Sequence, residues 1–259
     1  MNLLCHTACL LLPLVLAACA TEVKPPQGKS LPQLSMQSPV LHPGNGGQLV
    51  TGVALQPGDI VLSAANTFNS LGLQLATGAP VSHAALYLGN QQVAEAVGHG
   101  IQQRTLDQLL AEESTVVAFR HPGVKPEHVA AMDRFVSLHL GQKYNYTGIV
   151  LQAPFTLERR VCELPLVPSL VRDYCLQGVA AVQLGLGPND RFFCSQFVIE
   201  AYRAAGLPLT DADPRLINPA DLLHMREGDV PSLRIHQALL YVGHLKAPAQ
   251  AVVLSQNAP

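Results

Sequence analysis

"GPNDRFFCSQFVIEAYRAAG", residues 187–206, sets one cysteine near the front of a stretch with the spacing of an amphipathic helix. Cys194 is either a small core residue, as buried free cysteines commonly are, or a nucleophile. Asn189 or Asp190 offers an N-cap, which places Cys194 in or near the first turn. There the helix dipole favours an anion and lowers a thiol pKa. A nucleophilic cysteine also needs a general base within hydrogen-bond reach and a third polar group to orient that base. The remainder of the chain has to supply both.

The base candidate lies in "VSHAALYLGNQQVAEAVG", residues 81–98, which reads as two alternating strands joined by a turn around Asn90. On the first strand Val81, His83, Ala85 and Tyr87 share one face. A histidine in so apolar a strand needs a polar partner, since an unpaired one is costly to bury. With Asn90 at the centre of the turn, Ala85 faces Glu95 and His83 faces Val97. Glu95 then sits on one diagonal from His83, about 7–8 Å away between backbones, and His99 on the other. Either can hold the imidazole; Glu95 is preferred because a carboxylate also stabilises imidazolium. Taken singly, His83 also reads as a satisfied core histidine and Glu95 as a solvated strand charge.

The chain has 259 residues, enough for one domain with a full core, and balances 16 Lys plus Arg against 18 Asp plus Glu. No basic run marks a phosphate-binding stripe, so nucleic acid is not an expected partner. The N-terminus, "MNLLCHTACLLLPLVLAACA", is an apolar run ending in small residues, too short and too close to the end for a membrane-spanning helix. Leu16, Ala17, Ala18 and Cys19 resemble the lipobox of bacterial lipoproteins, in which the cysteine is lipidated and becomes the new N-terminus. That resemblance implies a signal peptide over 1–18 and a lipid anchor on Cys19. With Ala20 rather than Asp after it, it also implies a place in the cell envelope, on the outer membrane facing the periplasm.

Residues 19–50, rich in Pro, Gly, Ser and Gln, read as a flexible tether. Six cysteines become four after removal of the leader, and an oxidising compartment favours bridges between paired ones. Cys162 and Cys175 are the nearby pair. Cys194 is left over, and an unpaired thiol kept in such a compartment is buried or chemically used.

A strand is expected at about 59–64, a helix from Asn66 to Ala76 stopped by Gly78, and a strand from Gly100 to Arg104. A short helix follows at Leu106–Glu113, then a strand in "TVVAFRH" and a helix in "KPEHVAAMDRFVSLHLG". Residues 151–188, with Pro154, Pro165 and Pro168, read as a partly helical insertion stapled by its disulfide. "NPADLLHM" reads as a helix capped by Asn218 with Pro219 in its first turn, and "SLRIHQALLYVGHL" as one or two late strands. The catalytic domain spans 51–246 and a tail 247–259.

"LQPGDIVL", "VSHAALYLGNQQVAEAVG", "GQKYNY", "FFCSQFVIEAYRAAG" and "NPADLL", in this order, resemble the circularly permuted papain-like enzymes of the NlpC/P60 superfamily, in particular its YiiX/YebB/YaeF-like group. His83 before Cys194 is the permuted order. The resemblance covers most of residues 52–225 and implies an α+β fold, with an antiparallel sheet packed against helices and the cysteine at a helix N-terminus. It also implies Cys194 as nucleophile, His83 as base and Glu95 as the orienting residue, with His99 the alternative. Tyr144 and Asn145 match the family's Gly-x-x-Tyr-Asp/Asn segment and either line the substrate cleft or pack a turn. Gln196 stands where an acidic residue is also frequent, and it bears on substrate choice together with the insertion. The backbone N–H of Cys194 is one expected oxyanion donor.

The reading is a thiol hydrolase of the envelope acting on peptidoglycan-type peptides, with no cofactor. Lipid acyl transfer or ester hydrolysis by the same Cys-His chemistry is the alternative, and a non-catalytic envelope-binding lipoprotein is the alternative of another class. A metal site on His83, His99 and Cys194 finds no H-x-x-x-H or C-x-x-C spacing to support it.

Overall fold

The computed structural model describes residues 20–24, 31–41, 47–143, 159, 161–184 and 192–247. Its architecture is α+β. Two short strands, β1 (Thr21–Lys24) and β2 (Gln33–Met36), form an antiparallel ribbon. The main sheet has six strands: β3 (Ile60–Ala64), β4 (His83–Gly89), β5 (Gln92–Val97), β6 (Gly100–Thr105), β7 (Thr115–Arg120) and β8 (Leu240–Lys246). Their spatial order is β6-β5-β4-β3-β7-β8, and every neighbouring pair is antiparallel. The helices are α1 (Phe68–Thr77), α2 (Leu106–Glu112), α3 (Pro126–His139), α4 (Ser169–Leu184), α5 (Cys194–Ala204) and α6 (Pro219–His224).

The two faces of the sheet build two cores. On one face Ile60, Leu62, Ala84, Leu86 and Ala94 pack with Met132 and Val136 of α3 and Phe197, Val198 and Tyr202 of α5. On the other, Val61, Ala85, Tyr87, Val93, Val116 and Ala118 are covered by Leu106 and Leu109 of α2. β3 is therefore buried on both faces along its whole length, which its run IVLSA permits. The Tyr202 hydroxyl donates to the carbonyl of Gly58 at 2.5 Å and ties α5 to the start of β3.

The β4–β5 hairpin turns on Asn90 and Gln91, both at positive φ (49° and 59°), the backbone of a two-residue turn whose twist suits the flanking strands. Register runs Gly89↔Gln92, Tyr87↔Val93 and Leu86↔Ala94, with an irregularity between Tyr87 and Gly89. Continued by one residue, it sets Ala85 across from Glu95. Across the next pair Glu95 faces Gln102 and Val93 faces Arg104. Gly100, at φ 129°, lies where the chain after α3 crosses β6, and a Cβ there would stand 2.6 Å from the Gln142 carbonyl oxygen. Only glycine fits that crossing.

Most described residues of the expected tether are exposed, but a few anchor it to the body. Ala20 and Thr21 are buried, Leu41 joins the larger core, and Val50 N–H donates to the His244 carbonyl at 2.8 Å. The Pro- and Gly-rich composition concealed these few anchoring apolar and polar contacts. A second correction concerns α5: Phe193 is its N-cap, with no side-chain cap, so the helix starts at Cys194. Asn189 and Asp190, expected to cap it, lie outside the described residues, as do Cys19, Tyr144 and Asn145. The cysteines Cys162 and Cys175 form a disulfide, with Cα atoms 5.6 Å apart.

Candidate active site

Cys194 is the first residue of α5 and is 6 % exposed, the free cysteine of the described residues. The extended backbone of Phe193 (φ −105°, ψ 169°) brings the chain in and stops the helix from beginning earlier. The N–H groups of the first turn of a helix have no acceptor within that helix, so they point at whatever lies beyond it. Ser195 donates its hydroxyl to the Ile217 carbonyl, which fixes this turn against the segment leading into α6.

His83 opens β4, paired in register with Ser63 on β3. Just before it, Ser82 donates its N–H to the Ser63 carbonyl at 2.9 Å and shares a hydroxyl hydrogen bond of 2.6 Å with Ser70 of α1. His83 Nε2 lies 2.7 Å from Glu95 Oε2. That leaves Nδ1 for Cys194, whose side chain interacts with the imidazole. The structure thus assembles sulfur, imidazole and carboxylate from a helix N-terminus and two adjacent strands.

Glu95 is fully buried and saturated with donors. Gln102 Nε2 donates to its Oε1 at 2.8 Å, Arg104 Nε stands 2.6 Å from the same oxygen, and Arg104 Nη2 donates to Oε2 at 3.2 Å. Arg104 is held in turn by Glu112 at the end of α2. His99 does not reach the imidazole's carboxylate partner directly: its Nε2 pairs with Gln102 Oε1 at 2.6 Å, one link further out.

The charges follow from these contacts. Burial pushes the His83 imidazole down, but its hydrogen bonds and charge interactions with Cys194 and Glu95 outweigh that and raise it to about 10. Burial likewise pushes Glu95 up, and the hydrogen bond and charge of His83, the Gln102 donor and the Arg104 cation bring it down to about 2. These contacts favour the imidazolium–carboxylate form of the pair. A second buried acid, Glu113, flanks them: burial holds it above the ordinary carboxylate range against the pull of His83 and Arg104.

Gln102, Arg104 and Glu113 were not singled out in the sequence. The signal for the first two was present, since polar residues at every second position of "GIQQRT" share a face, and extending the hairpin register by one strand puts them beside Glu95. Gln196 is buried on α5, and its Oε1 has no hydrogen-bond partner among the described residues. No group of three or more His, Cys, Asp and Glu suited to a metal ion occurs among the described residues.

A cysteine at a helix N-terminus, facing a histidine on the adjoining antiparallel sheet, defines an α+β protein with a candidate thiol site. No protein-family model matches the chain. It is 38 % identical over 200 residues to the probable lipoprotein peptidase YaeF of Escherichia coli K12, covering 76 % of this chain and 73 % of that protein. Among solved structures it is similar to the metalloprotein yiiX of Escherichia coli O157:H7, at 20 % identity and a TM-score of 0.40, over 79 % of this chain and 93 % of that one. The chain belongs to the family of YaeF.

Proposed function

We propose that the protein is a cysteine peptidase or amidase of the bacterial cell envelope, built on a permuted papain-like fold of the NlpC/P60 type. One observation carries the reading: Cys194 heads α5 within hydrogen-bonding reach of an imidazole whose other nitrogen is held at 2.7 Å by a buried carboxylate. The name of its relative, a probable lipoprotein peptidase, supports both the peptidase chemistry and a lipid anchor on Cys19. No helix among the described residues is long and apolar enough to cross a membrane, which fits attachment by lipid.

In the proposed reaction the imidazolium of His83 stabilises the Cys194 thiolate beside it by Coulomb attraction. The sulfur attacks the amide carbonyl carbon, and the carbonyl oxygen takes the negative charge under the N–H groups of the α5 first turn. As the C–N bond breaks, His83 gives its proton to the leaving nitrogen, leaving a thioester on Cys194. The now neutral imidazole takes a proton from water, the hydroxide adds to the thioester carbon, and the C–S bond breaks, which regenerates the Cys194 thiolate and releases the acid product. Glu95 keeps the ring oriented and stabilises its charged form throughout, while Gln102 and Arg104 keep Glu95 in place. Peptidoglycan stem peptides are the proposed substrates.

The test combines labelling with an electrophilic thiol probe and mass analysis of peptidoglycan and phospholipid digests. Labelling at Cys194 with new peptide ends is the expected result. Cleavage confined to phospholipid would replace the peptidase by an acyltransferase or esterase, and absence of labelling at Cys194 would remove the enzyme reading.

A further inference from the structure

We propose that the face formed by the β1–β2 ribbon and the start of α4 lies on the lipid bilayer that takes up the acyl chains of Cys19. This rests on the lipoprotein reading above and adds an orientation to it. The chain next to Cys19 is fastened to the body. Ala20 N–H donates to Gln37 Oε1 at 3.2 Å, and Gln37 N–H returns a bond to the Ala20 carbonyl at 3.0 Å. Leu166 N–H donates to Thr21 Oγ1 at 2.8 Å, and Arg172, itself 3 % exposed, bridges the Thr21 carbonyl (3.2 Å) to that of Ser232 (3.0 Å). Consecutive Cα atoms lie about 3.8 Å apart, so a lipid on Cys19 leaves the body no slack from the membrane surface.

Several large apolar side chains are exposed around that point. Ribbon register pairs Val23 with Leu34 and Thr21 with Met36, so alternation puts Val23, Leu34 and Met36 on the face that Thr21 turns to Leu166. All three are exposed. Leu166 is 69 % exposed and is held at φ +69°, a backbone conformation that leucine rarely adopts. On α4, Leu170 and Tyr174 stand one turn apart and outward beside Asp173, Asp211 and Arg234, with Tyr174 71 % exposed, while Arg172 and Leu176 fill the inner face. Soluble monomers seldom gather large apolar side chains in this way, and a ring with a polar tip suits the boundary between headgroups and acyl chains. The exposed apolar residues flank Thr21, two positions after the lipid attachment residue in sequence, which selects the bilayer as their occupant.

The chain has no tryptophan, so single tryptophans report on depth. Full-length Leu34→Trp, Tyr174→Trp and, as a control at the opposite end of the main sheet from His83, Val53→Trp are placed in phosphatidylcholine vesicles with plain or brominated acyl chains. Acylation of Cys19 is read by mass, and folding by circular dichroism. The expected result is bromine quenching and a blue-shifted emission for Leu34→Trp and Tyr174→Trp, with no quenching for Val53→Trp. Acylated protein in which all three variants escape quenching overturns the docking face and leaves the lipoprotein reading standing. An unacylated Cys19 overturns both. A blue shift that depends on protein concentration and is insensitive to bromine assigns the face to a second copy of the chain and also overturns the proposal.

Discussion

Arg104 Nε lies 2.6 Å from Glu95 Oε1, while His83 Nε2 lies 2.7 Å from the other oxygen of the same carboxylate. Glu95 is therefore divided between a fixed cation and a titrating one. Arg104→Gln removes part of what keeps Glu95 low, so its pKa rises and the acidic limb of activity moves to higher pH. Turnover at neutral pH should fall about tenfold, equivalent to about 1.4 kcal/mol of transition-state stabilisation. A pH–rate profile of the variant checks both; an unshifted limb would detach Arg104 from the chemistry.

The three proposed catalytic groups have unequal roles. Cys194→Ala should lower turnover by at least about three orders of magnitude with the fold intact, because it removes the attacking atom and little volume. His83→Ala should be nearly as severe. Glu95→Gln should retain more activity, since an amide still orients the ring while losing the charge that supports imidazolium. His99→Ala should matter least, because His99 touches Gln102 rather than His83's carboxylate. Hydrolysis rates of the four variants decide the ranking; a crippled His99→Ala beside an active Glu95→Gln would reassign the third member.

Stability should depend on pH from both sides. Glu95 falls from 4.5 to about 2 on folding, so its contribution is present above about pH 4.5 and is lost as pH falls through 2. His83 rises from 6.5 to about 10, so its contribution is present below about pH 6.5 and is lost as pH rises through 10. The wild-type thermal midpoint should be highest between these windows. Glu95→Gln should flatten the acid arm. Glu95→Ala, which leaves Arg104 without its buried partner, should cost about 3–5 kcal/mol. Calorimetry from pH 2 to 10 measures all three.

The disulfide closes a short loop, with the two cysteines 13 positions apart. Its loss through paired Cys162→Ser and Cys175→Ser should lower stability by about 2–3 kcal/mol. Labelling of Cys194 should persist. If it disappears in folded protein, the 159–184 segment shapes the thiol's surroundings.

Elements with strong local signals were legible in the sequence. The hairpin around Asn90, the stop at Gly78 and the Asn218–Pro219 start of α6 all lie where the residues predict them. The pairing of Glu95 with His83 was legible as well, because strand alternation and turn position fix which side chains are neighbours. The start of α5 was misplaced, since Phe193 ends the preceding extended chain without a capping side chain to announce it. Docking of Ala20, Thr21 and Leu41 was hidden because their partners, Gln37, Leu166 and Arg172 among them, are distant in sequence or lie in an unremarkable composition. Buried ion pairs such as Arg159 with Glu163 and Asp221 escaped for the same reason.

The turn at Asn90 and Gln91 makes the site sensitive to chain length more than to residue identity. Side chains alternate with a period of two, so one residue inserted between Gly89 and Gln92 slips β5 by a single step along β4. Glu95 would then turn from His83 toward the apolar face that Ala84, Leu86 and Phe197 occupy, and Ala94 or Ala96 would take its place. Within this family, drift at positions 90 and 91 should be tolerated wherever a positive φ can be held, whereas gaps there should be purged, so the carboxylate's position is recorded as a count of residues from the loop tip.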